Sequence, residues 1–165
     1  MTPLVRKGLI VAVLHVALVA GVGARLLVDR ATQPRVWARV APADPTLPIR
    51  GRYVRLRVEA VPSPDFDAPL AYDRGVTLSV QDGKLLATPS DNTTNLARIA
   101  ARDGERIALL ASPVAYFIPE HVPDPSIRKT GEELWAEITI AGDGPPRPIR
   151  LGVRRNGTLT PLDID

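Results

Sequence analysis

An uncharged apolar run near the N-terminus constrains this chain most. Residues 8–24 (GLIVAVLHVALVAGVGA) contain no Asp, Glu, Lys or Arg. As an α-helix this run would be about 25 Å long, and extension to Val28 gives about 31 Å, close to the thickness of a bilayer core. Because the apolar residues have no polar stripe between them, we predict a transmembrane anchor at 8–28, preceded by a cytoplasmic tail at 1–7.

Two other interpretations of the run stay open. A cleaved signal peptide would have its basic n-region at Arg6-Lys7 and a small-residue cleavage site at 22–24. The run exceeds the h-region of about 7–15 residues that such peptides have, which favours the retained anchor. A buried core helix is the third possibility. His15, in the middle of the run, is either a neutral histidine tolerated in a single-pass anchor or a proton-relay or helix-contact residue.

The orientation of the anchor rests on two opposing signals. A short basic segment before a long apolar run is typical of export. Lys/Arg counting favours the opposite side, because the C-terminal flank holds more basic residues. We follow the export signal and predict one signal-anchor helix with the C-terminal domain outside the cytoplasm. Secretion after cleavage is the alternative.

The charge and the residue types exclude several classes of function. The net charge of +3 comes entirely from residues 1–30, so the remaining residues are neutral overall. A nucleic-acid-binding domain would need a basic patch of its own, and we predict no nucleic-acid partner. The chain has no cysteine and two histidines, which argues against disulfides, thiolate zinc sites and cysteine nucleophiles. We predict no cofactor and no metal.

Prolines mark the segment after the anchor. Residues 29–50 contain Pro34, Pro42, Pro45 and Pro48, which predicts an extended connector. Within it, residues 36–40 could still form a short first strand.

The rest of the chain, residues 51–165, has the pattern of an antiparallel β domain. Apolar and polar residues alternate over 53–59 and over 76–80. Asp-Gly or Asn-Gly pairs predict hairpins at about 75–88, 96–110 and 149–162, since both residues tolerate the positive φ of a type I′ turn. The middle segment also has helical spacing, with Gly104 as a possible helix end. Further strands are predicted at 114–118 and 134–140, with Pro-rich loops at 119–125 and 142–148. The predicted fold class is all-β, a small barrel-like or sandwich domain preceded by one transmembrane helix.

Few residues suggest catalysis. Glu120, His121 and Asp124 lie in one Pro-rich loop but lack the ligand spacing of a metal centre, and no hydrolytic triad is placed by sequence.

Four arginines surround the strand at 53–59. They indicate either an anionic contact or, as we favour, a solvated face that keeps an edge strand unpaired. These are Arg50, Arg52, Arg55 and Arg57.

Two segments carry a resemblance to a known family. Residues 41–58, APADPTLPIRGRYVRLRV, resemble the signature of the GDYXXLXY family of bacterial membrane-anchored proteins, with departures at Arg52 and Val58. Residues 115–120, AYFIPE, resemble the aromatic-rich stretch of that family, which ends in Pro-Glu. The resemblance singles out the following candidate family-motif residues: Asp44, Arg50, Gly51, Tyr53, Leu56, Tyr116, Pro119 and Glu120.

The resemblance implies a membrane helix followed by an exported β domain without an assigned activity. Family members are often encoded beside polytopic membrane proteins, which implies such a protein as a partner. With the resemblance we therefore expect a bacterial single-pass inner-membrane protein whose C-terminal domain is periplasmic. We expect this membrane-anchored periplasmic accessory or binding protein to contact the bilayer through 8–28 and an envelope or membrane-protein partner. No catalytic residue is assigned. The alternative is an envelope enzyme or enzyme subunit with an acidic or histidine site near Glu120-His121.

Overall fold

A computed structural model describes residues 3–43, 53–67, 72–91 and 93–164. The chain divides into two compact units, one ending at Gln33 and the other beginning at Pro34. The first unit is one helix, α1 (Pro3–Thr32). Its segment Lys7–Val28 is long and apolar enough to cross a membrane, and none of it is buried. The helix is thus compatible with a membrane anchor or a signal sequence.

His15 lies in the middle of α1, and its Nδ1 atom is 3.0 Å from the carbonyl oxygen of Val11. A ring nitrogen that donates to this oxygen has its hydrogen bond satisfied within its own helix. This contact makes a polar partner from elsewhere unnecessary for that nitrogen.

The second unit is built from strands and confirms the all-β fold class. In chain order the described strands are β1 (Arg35–Pro42), β2 (Tyr53–Pro62), β3 (Arg74–Gln81), β4 (Lys84–Pro89), β5 (Leu96–Arg102), β6 (Glu105–Leu110), β7 (Val114–Phe117), β8 (Glu132–Thr139), β9 (Arg147–Arg155) and β10 (Thr158–Pro161). Along most of these strands buried and outward side chains alternate, because successive side chains of a strand point to opposite faces of the sheet.

Strand β2 belongs to two sets of paired strands. The order β10-β9-β8-β1-β2 forms one antiparallel set, with β7 also paired to β2. The order β2-β4-β3-β5-β6 forms the other, and β6 pairs again with β2, so these five strands form a closed ring of pairings. Among the described pairings, β2–β4 is parallel.

The three predicted hairpins are confirmed. They correspond to β3–β4, β5–β6 and β9–β10. Both residues of each turn have positive φ, for example 50° at Asp82 and 70° at Gly83. The alternative of a helix over 96–104 is wrong, because Ala97 and Ile99 alternate into the core as strand residues while β5 pairs with β6. The predicted strands at 114–118 and 134–140 appear as β7 and β8.

The predicted connector is shorter than expected. Residues 29–32 are helical, and β1 occupies 35–42 within the same segment. Strand β1 pairs with both β2 and β8 and buries Val36, Ala38 and Val40. Because β1 pairs with two strands of the β unit and buries its apolar side chains in that unit, it belongs to the β unit. This unit therefore begins at Pro34 rather than at residue 51.

The core lies between the inward faces of these strands. Among the described residues, the buried apolar side chains are aliphatic apart from one aromatic ring, Phe66, which is 1% exposed in the turn after β2. The largest fully buried side chains are Phe66, Leu56, Ile138, Leu151, Val58 and Val76. The guanidinium of Arg106 donates to the carbonyl oxygen of Phe66 at 3.0 Å, so the turn is also held to β6.

Candidate functional site

The two segments that resemble the family signature lie side by side. Strand β7 pairs antiparallel with the first half of β2, so that Tyr53 faces Phe117 and Val54 faces Tyr116. The segments are some sixty residues apart in the chain, and the sequence did not predict their pairing. The structure thus brings four of the eight candidate residues into one region: Tyr53, Leu56, Tyr116 and, just after β7, Pro119. Asp44, Arg50 and Gly51 lie outside the described residues.

The inward side of this β2–β7 pair is structural. Leu56 is completely buried, and Tyr116 packs partly buried against the core. Removal of a buried leucine side chain typically costs about 2–5 kcal/mol, so Leu56 has a sufficient role in stability.

The outward side carries an exposed aromatic pair. The rings of Tyr53 and Phe117 have centroids 6.0 Å apart and are inclined by 56°, a favourable tilted arrangement. Tyr53 is half-buried, whereas Phe117 is 75% exposed. Full burial of a phenylalanine side chain is worth about 1.5–3 kcal/mol, which this ring does not gain within the described protein. We call Tyr53 and Phe117 the aromatic pair.

The loop after β7 holds the residues considered for an enzyme. Glu120 and His121 are both exposed, and the carbonyl oxygen of Pro119 accepts a hydrogen bond from the Val122 N–H at 3.2 Å. Among the described residues, no group of three His, Asp or Glu side chains is placed to hold a metal ion.

The interpretation that the arginines protect an edge strand is wrong for the two that the structure describes. Arg55 faces Ala115 of β7, and its carbonyl oxygen accepts from the Ala43 N–H at 2.8 Å on the other edge. Arg57 faces Ala41 of β1. Strand β2 is therefore a central strand, and these arginines do not shield a free edge. Arg50 and Arg52 lie outside the described residues.

A charge cluster around the buried Glu59 lies further along β2 and was not predicted. The side chain of Glu59 is 5% exposed and forms ion pairs with Arg102 and, at 3.9 Å, with Arg39. Arg39 also reaches Asp103 at 3.3 Å and Glu133 at 3.1 Å. These contacts join β1 and β2 to β8 and to the β5–β6 turn. We call these five residues the Glu59 cluster.

The outer face of β1, β8 and β9 continues the pattern of paired charges. The Trp135 Nε1–H donates to Glu133 at 3.0 Å, and the guanidinium of Arg154 stacks 3.8 Å from the Trp135 ring centroid. The Arg150 Nε–H donates to Glu137 at 2.6 Å. The last two contacts join β8 to β9, and cross-strand pairs of this kind stabilise the pairing of neighbouring strands.

Gly152 of β9 is required by this face. A Cβ atom there would lie 2.9 Å from the Trp37 ring and 3.1 Å from the carbonyl oxygen of Thr160. Glycine at this position leaves room for the Trp37 indole of β1 against the backbone of β9.

A small cavity lies away from the aromatic pair. It has a volume of about 60 Å³ and is lined by residues including Asn95, Pro113 and Pro146. The Asn95 side chain already donates to the carbonyl oxygen of Gly144 at 3.0 Å. Ligand pockets are typically about 300–1,000 Å³, so this cavity has room for water but not for a substrate.

The fold and the site together define a mostly antiparallel β domain that follows an apolar helix and exposes an aromatic pair where two motif segments meet. No protein-family model matches the chain. No curated protein and no solved structure matches it significantly. The resemblance to the GDYXXLXY family stays a prediction that rests on the quoted residues.

Proposed function

We propose that this chain is a membrane-anchored accessory protein whose β domain is periplasmic and acts through contact with a polytopic membrane protein. Helix α1 supports the membrane part of the proposal, because Lys7–Val28 is apolar on all sides and unburied. A protein held in the bilayer by one helix meets other membrane proteins at high local concentration.

The exposed aromatic pair supports the contact most directly. Phe117 is 75% exposed beside Tyr53, and aromatic side chains are enriched at the centres of protein interfaces. Burial of this ring by a partner would recover apolar free energy that folding leaves unused. The enzyme alternative has less support, because Glu120 and His121 are exposed, whereas catalytic acid–base groups usually line a pocket.

The aromatic pair lies far along the β domain from the first residue of β1. Pro42 at the end of β1 pairs with Leu56, so Tyr53 lies beyond that end of β1. Seven residue steps separate Arg35 from Pro42, a distance of about 23 Å along the strand. The pair is therefore well separated from the point where the chain enters the β domain.

Site-specific photo-crosslinking in cell membranes tests the proposal. A photo-reactive phenylalanine analogue replaces Phe117 in the full chain, and a matched chain carries it at Tyr72, an aromatic side chain that is 70% exposed. We expect a discrete adduct with an integral membrane protein from position 117 and a much lower yield from position 72. Equal yields from the two positions, or none from either, would contradict contact through the aromatic pair.

A further inference from the structure

Two arginines lie beside the aromatic pair on the outward side of β2. Tyr53, Arg55 and Arg57 occupy alternate positions of this strand, so their side chains point to the same face of the sheet. Phe117 pairs with Tyr53 and lies on that face too. Alternate residues of a strand are about 7 Å apart, so the face extends over about 13 Å from Tyr53 to Arg57. We call Tyr53, Phe117, Arg55 and Arg57 the arginine-aromatic strip.

The neighbouring strands place small apolar side chains beside both arginines of the strip. Arg55 pairs with Ala115 of β7, and Arg57 pairs with Ala41 of β1. Neither arginine forms an ion pair with a described residue. Within the described part of the chain, both guanidinium groups therefore lack a direct countercharge.

Other arginines of the same set of strands do have a countercharge. Arg150 pairs with Glu137 and forms an ion pair with it. Arg155 does the same with Glu132. The next outward carboxylate of β2, Glu59, is occupied within the Glu59 cluster. Opposite charges placed directly across a strand pair stabilise a sheet, and the strip departs from this arrangement at two successive outward positions.

Arg57 also has an unsatisfied hydrogen-bond donor. Its Nε atom is buried and has no hydrogen-bond partner among the described residues. A buried donor without an acceptor is destabilising, and a carboxylate is the acceptor that a guanidinium binds most strongly. Arg57 as a whole is only half-buried, so part of its side chain is open to a partner.

We propose that the arginine-aromatic strip binds an acidic segment of the membrane-protein partner, with carboxylates on Arg55 and Arg57 and an apolar side chain on Phe117. Planar guanidinium groups bind carboxylates through two parallel N–H bonds, and the Phe117 ring is exposed for an apolar contact. A polypeptide carries carboxylates and apolar side chains together at the spacing of the strip. This inference rests on the proposed contact of the aromatic pair and adds the chemistry of the partner's segment.

Zero-length crosslinking in cell membranes tests this chemistry. Arg55→Lys in the full chain keeps the positive charge and supplies an amine, which a water-soluble carbodiimide joins to a carboxylate in contact with it. Arg147→Lys, at an exposed arginine of β9 outside the strip, is the matched control. We expect residue 55 to be joined to an Asp or Glu of an integral membrane protein, identified by mass spectrometry of the linked peptides. Residue 147 should give no such product.

Charge variants measure the contribution of the two arginines. The photo-reactive analogue at position 117 is combined with Arg55→Gln and Arg57→Gln, or with the control pair Arg74→Gln and Arg147→Gln, which removes the same charge at exposed strand positions. We expect the strip variant to lower the adduct yield about tenfold and the control pair to leave it unchanged, because complementary charges strengthen an interface. Equal thermal unfolding of the variants in detergent controls for folding.

The outcomes separate this inference from the proposed function. Absence of a protein adduct from position 117 with the strip intact overturns both. An adduct of equal yield in the strip variant overturns the acidic segment alone. The same holds if residue 55 gives no carbodiimide product, or is joined only to its own chain or to a lipid.

Discussion

At the level of single residues, Glu59 has the environment least expected of an outward strand position. Tyr53, Arg55 and Arg57 precede it on the same side of β2 and are only half-buried, whereas Glu59 is 7% exposed. Removal of a carboxylate from water is costly unless opposite charges and hydrogen bonds replace the water. Arg102 and Arg39 provide this replacement.

The Glu59 cluster makes a prediction about stability. Glu59→Gln keeps the shape of the side chain but leaves Arg39 and Arg102 without their shared buried anion, so we expect unfolding free energy to fall by about 3 kcal/mol. Asp103→Asn removes a carboxylate of the same cluster that is 75% exposed, and should cost less than about 1 kcal/mol. Urea unfolding of the full chain in detergent measures both. Similar losses for the two variants would refute a buried charge at Glu59.

The sequence predicts one side of β2 well and the other poorly. Alternation places Val54, Leu56 and Val58 in the core, and all three are buried. Alternation equally assigns Glu59 to solvent, because it describes one strand without its neighbours. The burial of Glu59 comes from Arg39 of β1 and Arg102 of β5, and such long-range contacts leave no signal in local periodicity.

At the level of elements, the turns are the most local structures in the chain and the most predictable. Asp103-Gly104 and Asn156-Gly157 have positive φ at both residues, as type I′ turns require. The pairing of β7 with β2 is the opposite case, because residues far apart in sequence meet only in the folded chain. The sequence therefore predicts the hairpins but not the aromatic pair.

The loop that leads into β8 is held by hydrogen bonds to one carboxylate. The Lys129 backbone N–H donates to Glu132 at 3.1 Å, and Arg155 and Arg128 form ion pairs with the same side chain. The Lys129 N–H, followed by Arg155 and Arg128, lowers the pKa of Glu132 below its ordinary value. A lowered pKa in the folded state means that ionised Glu132 stabilises the fold.

This shift predicts a pH dependence. The contribution of Glu132 is complete above the pKa of the unfolded chain and is lost as pH falls through the lower, folded-state pKa. We expect Glu132→Gln to lower Tm at neutral pH, and the Tm difference from the unmodified protein to shrink as pH falls below about 4.3, the usual glutamate value. Glu105→Gln, at an exposed glutamate without an ion pair among the described residues, is the matched control. A Tm difference between Glu132→Gln and the unmodified protein that stays constant down to acidic pH would contradict a lowered pKa of Glu132 in the folded state.

At the level of the whole molecule, the chain combines an apolar helix with a β domain in which β2 links two sets of strands. The closed ring of β2, β4, β3, β5 and β6 leaves β2 paired on both sides, and β1 extends the other set through β8 to β10. The sequence predicts the helix and the β class from composition and period. It does not predict this strand order, because several hairpins with similar patterns can be arranged in more than one way.

The proposed function requires that the helix is retained as an anchor and holds the β domain on the periplasmic side. Lys84 is exposed next to the β3–β4 turn, and Lys84→Cys creates the single thiol of the chain. A membrane-impermeant maleimide is applied to spheroplasts before and after lysis, and the labelled product is sized in the membrane and soluble fractions. We expect labelling before lysis, in a full-length product of the membrane fraction. Labelling only after lysis, or a shortened soluble product, would contradict the claim.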